Sequence, residues 1–410
     1  MNIISTIKNY TERFQVNRPY FSIPPKDDLC LIIAIPAYKE PNIKATLESL
    51  AKCQLPSGTV EIIITINAPE NTSVYDLEIN RQCESHIKEW VLSKPDFLEV
   101  LIIKEESLPQ KHAGAGLARK IGMDEAVQRW ASIDKDGPIV CLDADCTVSE
   151  NYLIEAEKAF VDKKIEIAHF HFEHCYQQEF DEILRKGIIN YELHLRLYVQ
   201  GLKRAGFPNA VHTVGSSMVV RASRYAKSGG MNRRKAGEDF YFLHKLVVNG
   251  GWKDIVSATV YPSCRVSDRV PFGTGRAQME WVTNGVGETY NSEIYEVLKP
   301  LFSNVKLYYN TGLGLNFIQP INDFLKSVDG VNKVEEIKKK SVSVEVFTKH
   351  FWQWMDGFMV MKLTHYLRDN GFPNQEVLIC ANELLIKSGR NLTTTLKESL
   401  EEFRAIDKFE

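Results

Sequence analysis

No stretch of the chain approaches the roughly 18 consecutive apolar residues that a membrane span requires. The long uncharged run from Gly206 to Val220 is interrupted by Pro208, Asn209, His212 and two serines. A bilayer-crossing segment is therefore not expected. A secretory leader is not expected either, because Met1 to Tyr20 scatters Lys8, Glu12, Arg13 and Arg18 through a weak apolar pattern. Cysteine is sparse: eight of 410 residues, dispersed from Cys30 to Cys380 without a Cys-x-x-Cys pair. They read as reduced core residues, not a disulfide framework, and a cytoplasmic setting follows. Neither sign of charge is in excess, with 50 Lys and Arg against 53 Asp and Glu and a net charge of −3. That balance excludes a global nucleic-acid footprint, so any anion site must be local. With 24 Gly and 16 Pro, the chain is not collagenous or low in complexity, and 44% hydrophobic residues suffice for a sizeable core.

What is present is an alternation of strand and helix patterns. Leu29 to Ile35 is a continuous apolar run stopped by Pro36, as expected of a strand buried on both faces. Gly58 to Asn67 is a second, rich in isoleucine, and Leu98 to Ile103 a third. The polar stretch Lys104 to Gln110 reads as loop. A helical pattern over Ala113 to Ala131 then leads through Asp136-Gly137-Pro138 to the apolar run Ile139 to Leu142. Such alternation predicts an open, mostly parallel sheet covered by helices, with its ligand beyond the carboxyl ends of the strands. Further on, Ile165 to Phe172 reads as a strand, Asp181 to Leu202 as a helix and Ser216 to Arg221 as a short strand. Beyond about Tyr290 the texture becomes helical, with amphipathic stretches at Val346 to Asp369 and Pro373 to Ser388. We therefore divide the chain into an N-terminal extension (1–28), an α/β domain (29–290) and a helical C-terminal region (291–410).

The sharpest chemical motif is Asp143-Ala-Asp145 directly after the fourth apolar run. Two carboxylates at i and i+2, released from a buried strand, point the same way and can hold a hard divalent cation. Asp134-Lys-Asp136 has the same spacing in a turn, so the spacing alone also fits turn-forming aspartates. Other stretches align with the pair: Pro36-Ala-Tyr38-Lys-Glu40 at the end of the first strand; Lys111 to Glu125, a glycine-containing helix start with Lys111 and Arg119; Gly215-Ser-Ser; and Gly237-Glu238-Asp239.

In this order the motifs resemble the family 2 glycosyltransferases of the GT-A fold, a Rossmann-like nucleotide-binding core, over roughly residues 29 to 290. The resemblance implies that Pro36, Tyr38 and Glu40 lie at the base and ribose of a nucleotide-sugar donor, with a UDP-sugar first among donors. It implies that Asp143 meets the ribose and metal region, that Asp145 ligates Mn²⁺ or Mg²⁺ on the diphosphate, and that Asp239, with Glu238 as helper, removes the acceptor's proton. Asp239 also suits the N-cap of a helix from Phe240. Asn67 stands where many members carry a base-contacting carboxylate. Glu280 precedes Trp281 where processive members carry arginine, which argues for a non-processive transferase.

Several motifs remain open. Asp268 as a metal ligand and Arg269 as an acceptor-side helper follow the expected last strand, where a loop ion-pair cluster fits equally. His169, His171 and His174 suit cleft-lining histidines or a separate zinc site. Lys111-His-Ala-Gly114-Ala-Gly116 opens a helix as a dinucleotide fingerprint does, but lacks the third glycine and a preceding strand, so a nicotinamide cofactor is not expected. Glycines there suit close approach to an anion, with Lys111 and Arg119 as diphosphate contacts. The aromatic and Met-rich stretch Phe351 to Met361 suits core packing, an oligomer interface or an acceptor lid.

The expectation is thus a metal-dependent, inverting, non-processive glycosyltransferase acting on a glycan, lipid-linked or small-molecule acceptor, cytoplasmic or peripheral to a membrane, and open to homo-oligomer formation. A nucleotidyltransferase would also use a carboxylate pair beyond a parallel sheet, but no glycine-rich phosphate loop follows the first strand. A catalytically silent sugar-nucleotide scaffold is the remaining alternative.

Overall fold

The structure, a computed structural model, describes residues 3–14, 16, 19–267, 273–285 and 287–409. Asp268 and Arg269 lie outside the described residues. The chain forms two compact units: Met1–Phe180 with Thr213–Leu246 and Gly250–Met279, and Asp181–His212 with Val247–Asn249 and Glu280–Glu410. Residues 1–28 thus belong to the first unit. The helix Glu182–Ala205 belongs to the second, which draws on chain well before residue 291.

The first unit is an α/β fold built on strands β1 (Leu31–Ala37), β2 (Val60–Pro69), β3 (Leu98–Leu108), β4 (Pro138–Cys141), β5 (Thr147–Val148), β6 (Ile167–Phe172), β7 (Met218–Arg221) and β8 (Trp252–Tyr261). They make one eight-stranded sheet in the order β3-β2-β1-β4-β7-β6-β8-β5. β1 pairs in parallel with β2 and β4, and β2 with β3, so the chain reverses its direction of travel across the sheet between β1 and β4. β7 runs antiparallel to β4 and β6, and β5 antiparallel to β8. Both faces are buried, as the uninterrupted apolar runs require. Leu31, Ile33 and Ile35 face a core shared with Leu47, Ile87 and Leu153. Ile32 and Ala34 face a second core with Met123, Val127, Trp130 and Phe242.

β3 is longer than its apolar run. Lys104 to Leu108, read from the sequence as loop, continues the strand opposite Ile66, Asn67 and Pro69. β3 is an edge strand whose residues are mostly only partly buried, so charged side chains are tolerated there; Lys104 pairs with Glu84 at 2.7 Å.

Among the described residues, the second unit is helical apart from a two-stranded ladder joining Glu288–Thr289 to Gln375–Glu376. The amphipathic stretch expected over Val346 to Asp369 divides into helices Val344–Trp354 and Gly357–Asp369, because Asp356 caps the second through the Met359 N–H at 2.9 Å. Its centre is ionic: Glu192 accepts from Arg196 and Arg404, each at 2.7 Å, and Asp407 accepts from His212 at 2.8 Å and from Gln200 at 2.5 Å.

Candidate functional site

In open α/β sheets the crevice for a ligand opens where the connections reverse direction, here beyond the carboxyl ends of β1 and β4. β1 delivers Tyr38, Lys39 and Glu40 to it; β4 delivers Asp143 and Asp145. Lys39 sits at φ 52°, the left-handed region that a non-glycine residue enters at a cost. Its N–H is held by Asn80 Oδ1 at 3.0 Å, and the Asn80 amide donates in turn to the Asn67 carbonyl at 3.2 Å. One asparagine thereby ties the ends of β1 and β2 together and fixes the turn that presents Tyr38.

Two arginines organise the carboxylates. Arg119, 3% exposed, donates to Asp143 at 2.6 Å and to the buried Glu238. Arg265, on the segment after β8, donates to Asp145 at 2.8 Å and to Glu40 at 3.0 Å. Glu40 is itself wholly buried and also accepts from the Asn42 N–H at 2.9 Å. Buried carboxylates survive in a fold when they are paired and hydrogen-bonded in this way.

Asp239 lies in the first turn of the helix Glu238–Val247 instead of capping a helix from Phe240. Its Oδ1 accepts from the Phe240 N–H at 2.7 Å, and the Gly215 N–H donates to the same carboxylate. A Cβ on Gly215 would stand 2.8 Å from Asp239 Oδ2 and 2.9 Å from Arg119 Nη1, so glycine is what lets the Gly215–Ser217 turn close over the pair. Burial raises the pKa of Glu238 to about 7 against the opposing pull of Arg119. Burial likewise raises the pKa of Asp239, again against Arg119 and the Phe240 N–H.

The sequence-selected residues divide by access. Tyr38, Asp143, Asp145 and Asp239 are half-buried, as is Pro36 at its strand position; Lys111 is exposed on the turn after β3. Glu40, Asn67, Arg119 and Glu238 are buried. The glycines that open the helix Ala115–Ser132 do not frame an anion. A Cβ on Gly114 would meet the Lys235 backbone at 2.8 Å, and one on Gly116 would meet the Arg234 carbonyl oxygen at 2.3 Å; they admit the 232–238 loop. The three histidines are buried and bond separately, His169 to the Val214 N–H at 3.2 Å, His171 to Glu173 at 2.9 Å and His174 to Thr274 at 3.2 Å. Among the described residues, no group of three His, Cys, Asp or Glu side chains comes together to hold a metal ion. Asp143 and Asp145 are both half-buried and each is held by an arginine, so a hard cation would take from them at most two carboxylates and would need its remaining ligands from substrate phosphates. Arg265 is the residue that sequence reasoning missed; it lies within the stretch already singled out after the last strand, three residues before Asp268.

No family model matches the chain, and no curated protein sequence matches it. Among solved structures, the chain is similar to S. aureus TarS 1-349 in complex with UDP-GlcNAc, at a TM-score of 0.42 and 11% identity over 85% of this chain and 99% of that one. It is also similar to a longer S. aureus TarS chain, at a TM-score of 0.37 and 13% identity over 68% of this chain. The chain spans 44% of the length of that longer protein. At these scores the fold assignment rests on the strand order itself. Among the described residues, no helix is long and apolar enough to cross a membrane.

Proposed function

We propose that the chain is a glycosyltransferase, similar to family 2, that moves one sugar at a time from a nucleoside-diphosphate donor, a UDP-sugar first, to an acceptor hydroxyl with inversion at the anomeric carbon. The observation that carries this reading is the Arg119 bridge: Asp143, at the end of β4, and Glu238, next to Asp239 in the chain, share one buried guanidinium. A strand-end carboxylate for the donor and the chain segment that carries the acceptor-side Asp239 are thereby joined through one guanidinium, as a single displacement needs.

In this reading Tyr38 stacks on the base and Asp143 binds the ribose. Asp145, with Asp143, is where Mn²⁺ or Mg²⁺ would be held together with the donor diphosphate; once bound, the cation supplies Lewis-acid stabilisation of the leaving group. Asp239 takes the acceptor hydroxyl's proton as the oxygen forms its bond to the anomeric carbon. The bond from that carbon to the diphosphate oxygen breaks, and its electron pair leaves with the diphosphate. A carboxylate pKa raised by burial makes Asp239 a stronger proton acceptor than an exposed aspartate. The acceptor is a glycan, a lipid-linked sugar or a small molecule, met in the cytoplasm or at a membrane surface.

The test is calorimetric titration of UDP, GDP, CDP and dTDP, with Mn²⁺ or with chelator, into the wild type and Asp145→Ala. One nucleotide should bind with metal, and the binding should disappear in the variant; equal binding by both proteins would remove the metal assignment. Asp239→Asn should bind donor and lose transfer, and a fully active Asp239→Asn enzyme would end the base assignment.

A further inference from the structure

The helical unit contains a second candidate site, a cavity of about 380 Å³ that the reading above does not use. Its walls come from elements that the sequence fixes locally. Gly206, at φ 87°, ends the helix Glu182–Ala205 with its N–H on the Lys203 carbonyl, and the Phe207 N–H reaches back to Leu202. Phe207 then packs against Trp352 with ring centroids 5.7 Å apart, which sets Asn209 at the cavity wall. On the opposite side Ser343 caps the helix Val344–Trp354 through the Val346 N–H, and one face of that helix brings Glu345, Lys349 and Trp352 to the cavity. Lys306 completes it.

Three features with hydrogen-bonding capacity to spare converge there. Asn209 is only 8% exposed, yet its carboxamide makes no hydrogen bond among the described residues. Because Asn209 lines the cavity, that group can be completed by solvent or by a ligand. The indole N–H of the half-buried Trp352 is likewise without a partner among the described residues. Lys306 and Lys349 form no hydrogen bond or ion pair there, although Lys306 is close enough to Glu345 to help hold that carboxylate, after its Ser343 hydrogen bond, below its ordinary pKa.

We propose that this cavity binds a sugar phosphate, either free or as a phosphorylated unit of a larger glycan. Trp352 offers an aromatic wall for the apolar face of a pyranose. Asn209 and the ionised Glu345 meet hydroxyl groups as donor and acceptor. Two ammonium groups match the charge of about −2 on a phosphate monoester near neutral pH. The inference is independent of the donor-site reading, because every residue it uses belongs to the helical unit.

The experiment is calorimetric titration of the full chain with glucose 6-phosphate, glucose and inorganic phosphate, repeated with UDP present. Glucose 6-phosphate should bind at one site, with or without UDP, and more tightly than glucose or phosphate. Its affinity should fall by at least about tenfold in the Lys306→Gln/Lys349→Gln double variant and in Asn209→Ala. Because Trp352 packs in an aromatic cluster, Trp352→Ala is not needed; the lysine and asparagine variants leave that packing intact. Retained UDP binding in the double variant would separate this site from the donor site. Absence of glucose 6-phosphate binding, equal binding of phosphate alone, competition with UDP, or unchanged affinity in the variants would each overturn the proposal.

Discussion

Arg265 holds Asp145 at 2.8 Å while its other nitrogen holds Glu40, a carboxylate with no exposed surface. One guanidinium thus joins the end of β1 to the carboxylate pair after β4, and it shields a charge that would otherwise be buried alone. Breaking a buried ion pair costs about 3–5 kcal/mol, chiefly because the surviving partner stays desolvated.

Because Arg265 is itself 26% exposed, we expect Arg265→Met to lower unfolding stability by about 3 kcal/mol, the lower end of that range. Glu40→Gln in the same chain should restore part of the loss, since the neutral amide tolerates burial better. Denaturant unfolding of the two single variants and the double variant measures this. Strictly additive losses would mean that the pair is not coupled.

Glu238 gives the first unit a pH dependence of definite sign. Its folded pKa is raised to about 7 by burial, despite Arg119, above the ordinary value of 4.5. The folded state therefore binds more protons than the unfolded chain in between. The carboxyl's favourable contribution is full below about pH 4.5 and is lost as pH rises toward 7. Glu238→Gln cannot ionise and should flatten the stability profile over that window. Arg119→Met should steepen it, with a loss of about 3–5 kcal/mol at neutral pH from the unpaired carboxylates. Chemical unfolding at half-unit pH steps distinguishes these slopes.

These contacts explain how far the sequence could be read. The sheet's centre was legible because β1, β2 and β4 must be apolar on both faces, and the crevice followed from their order. Asp143 and Asp145 were legible because they follow a buried strand. The partners that neutralise them were not, since Arg119 and Arg265 meet carboxylates 24 and 120 residues away. Local pattern carries no record of such pairings. Lys104 to Leu108 was misread because edge strands relax the apolar rule, and the glycines of the Lys111 segment because loop backbone and anion make the same demand for space. The break at Asp356 was readable in principle, as an aspartate followed by a helix start, but the apolar residues on both sides masked it.

The helical unit should be sensitive to acid through Asp407. Burial disfavours its carboxylate, but His212, Arg196 and Gln200 outweigh that and hold its pKa well below the ordinary value. A depressed folded pKa contributes stability above the unfolded value of about 3.9 and loses it as pH falls further. Asp407→Asn should therefore cost about 2 kcal/mol at neutral pH, the scale of a charge-assisted hydrogen bond, and progressively less as pH falls below about 3.9, since the contribution fades only as pH approaches the depressed folded pKa. Far-ultraviolet circular dichroism during acid titration follows the helices directly. An acid midpoint that does not move in the variant would exclude Asp407 as the responsible group.

Gly215→Ala tests the Asp239 assignment without replacing a charged group. The added methyl would stand 2.8 Å from Asp239 Oδ2 and 2.9 Å from Arg119 Nη1, closer than ordinary van der Waals contact allows. The turn must withdraw or the carboxylate must swing away, and in either case the Gly215 N–H no longer holds Asp239 in its present orientation. Misplacing a general base by a fraction of an ångström costs rate, while on the nucleotide side Tyr38 and Asp145 are not among the nearest atoms the methyl meets, and Asp143 is reached only through Arg119. We expect the rate of sugar transfer to fall by about 10²-fold, on the scale of a general base's contribution, with UDP affinity within about twofold of wild type. Loss of both together would mean that the turn supports the donor crevice as a whole, and an unchanged rate would mean that Asp239 does not act on the acceptor.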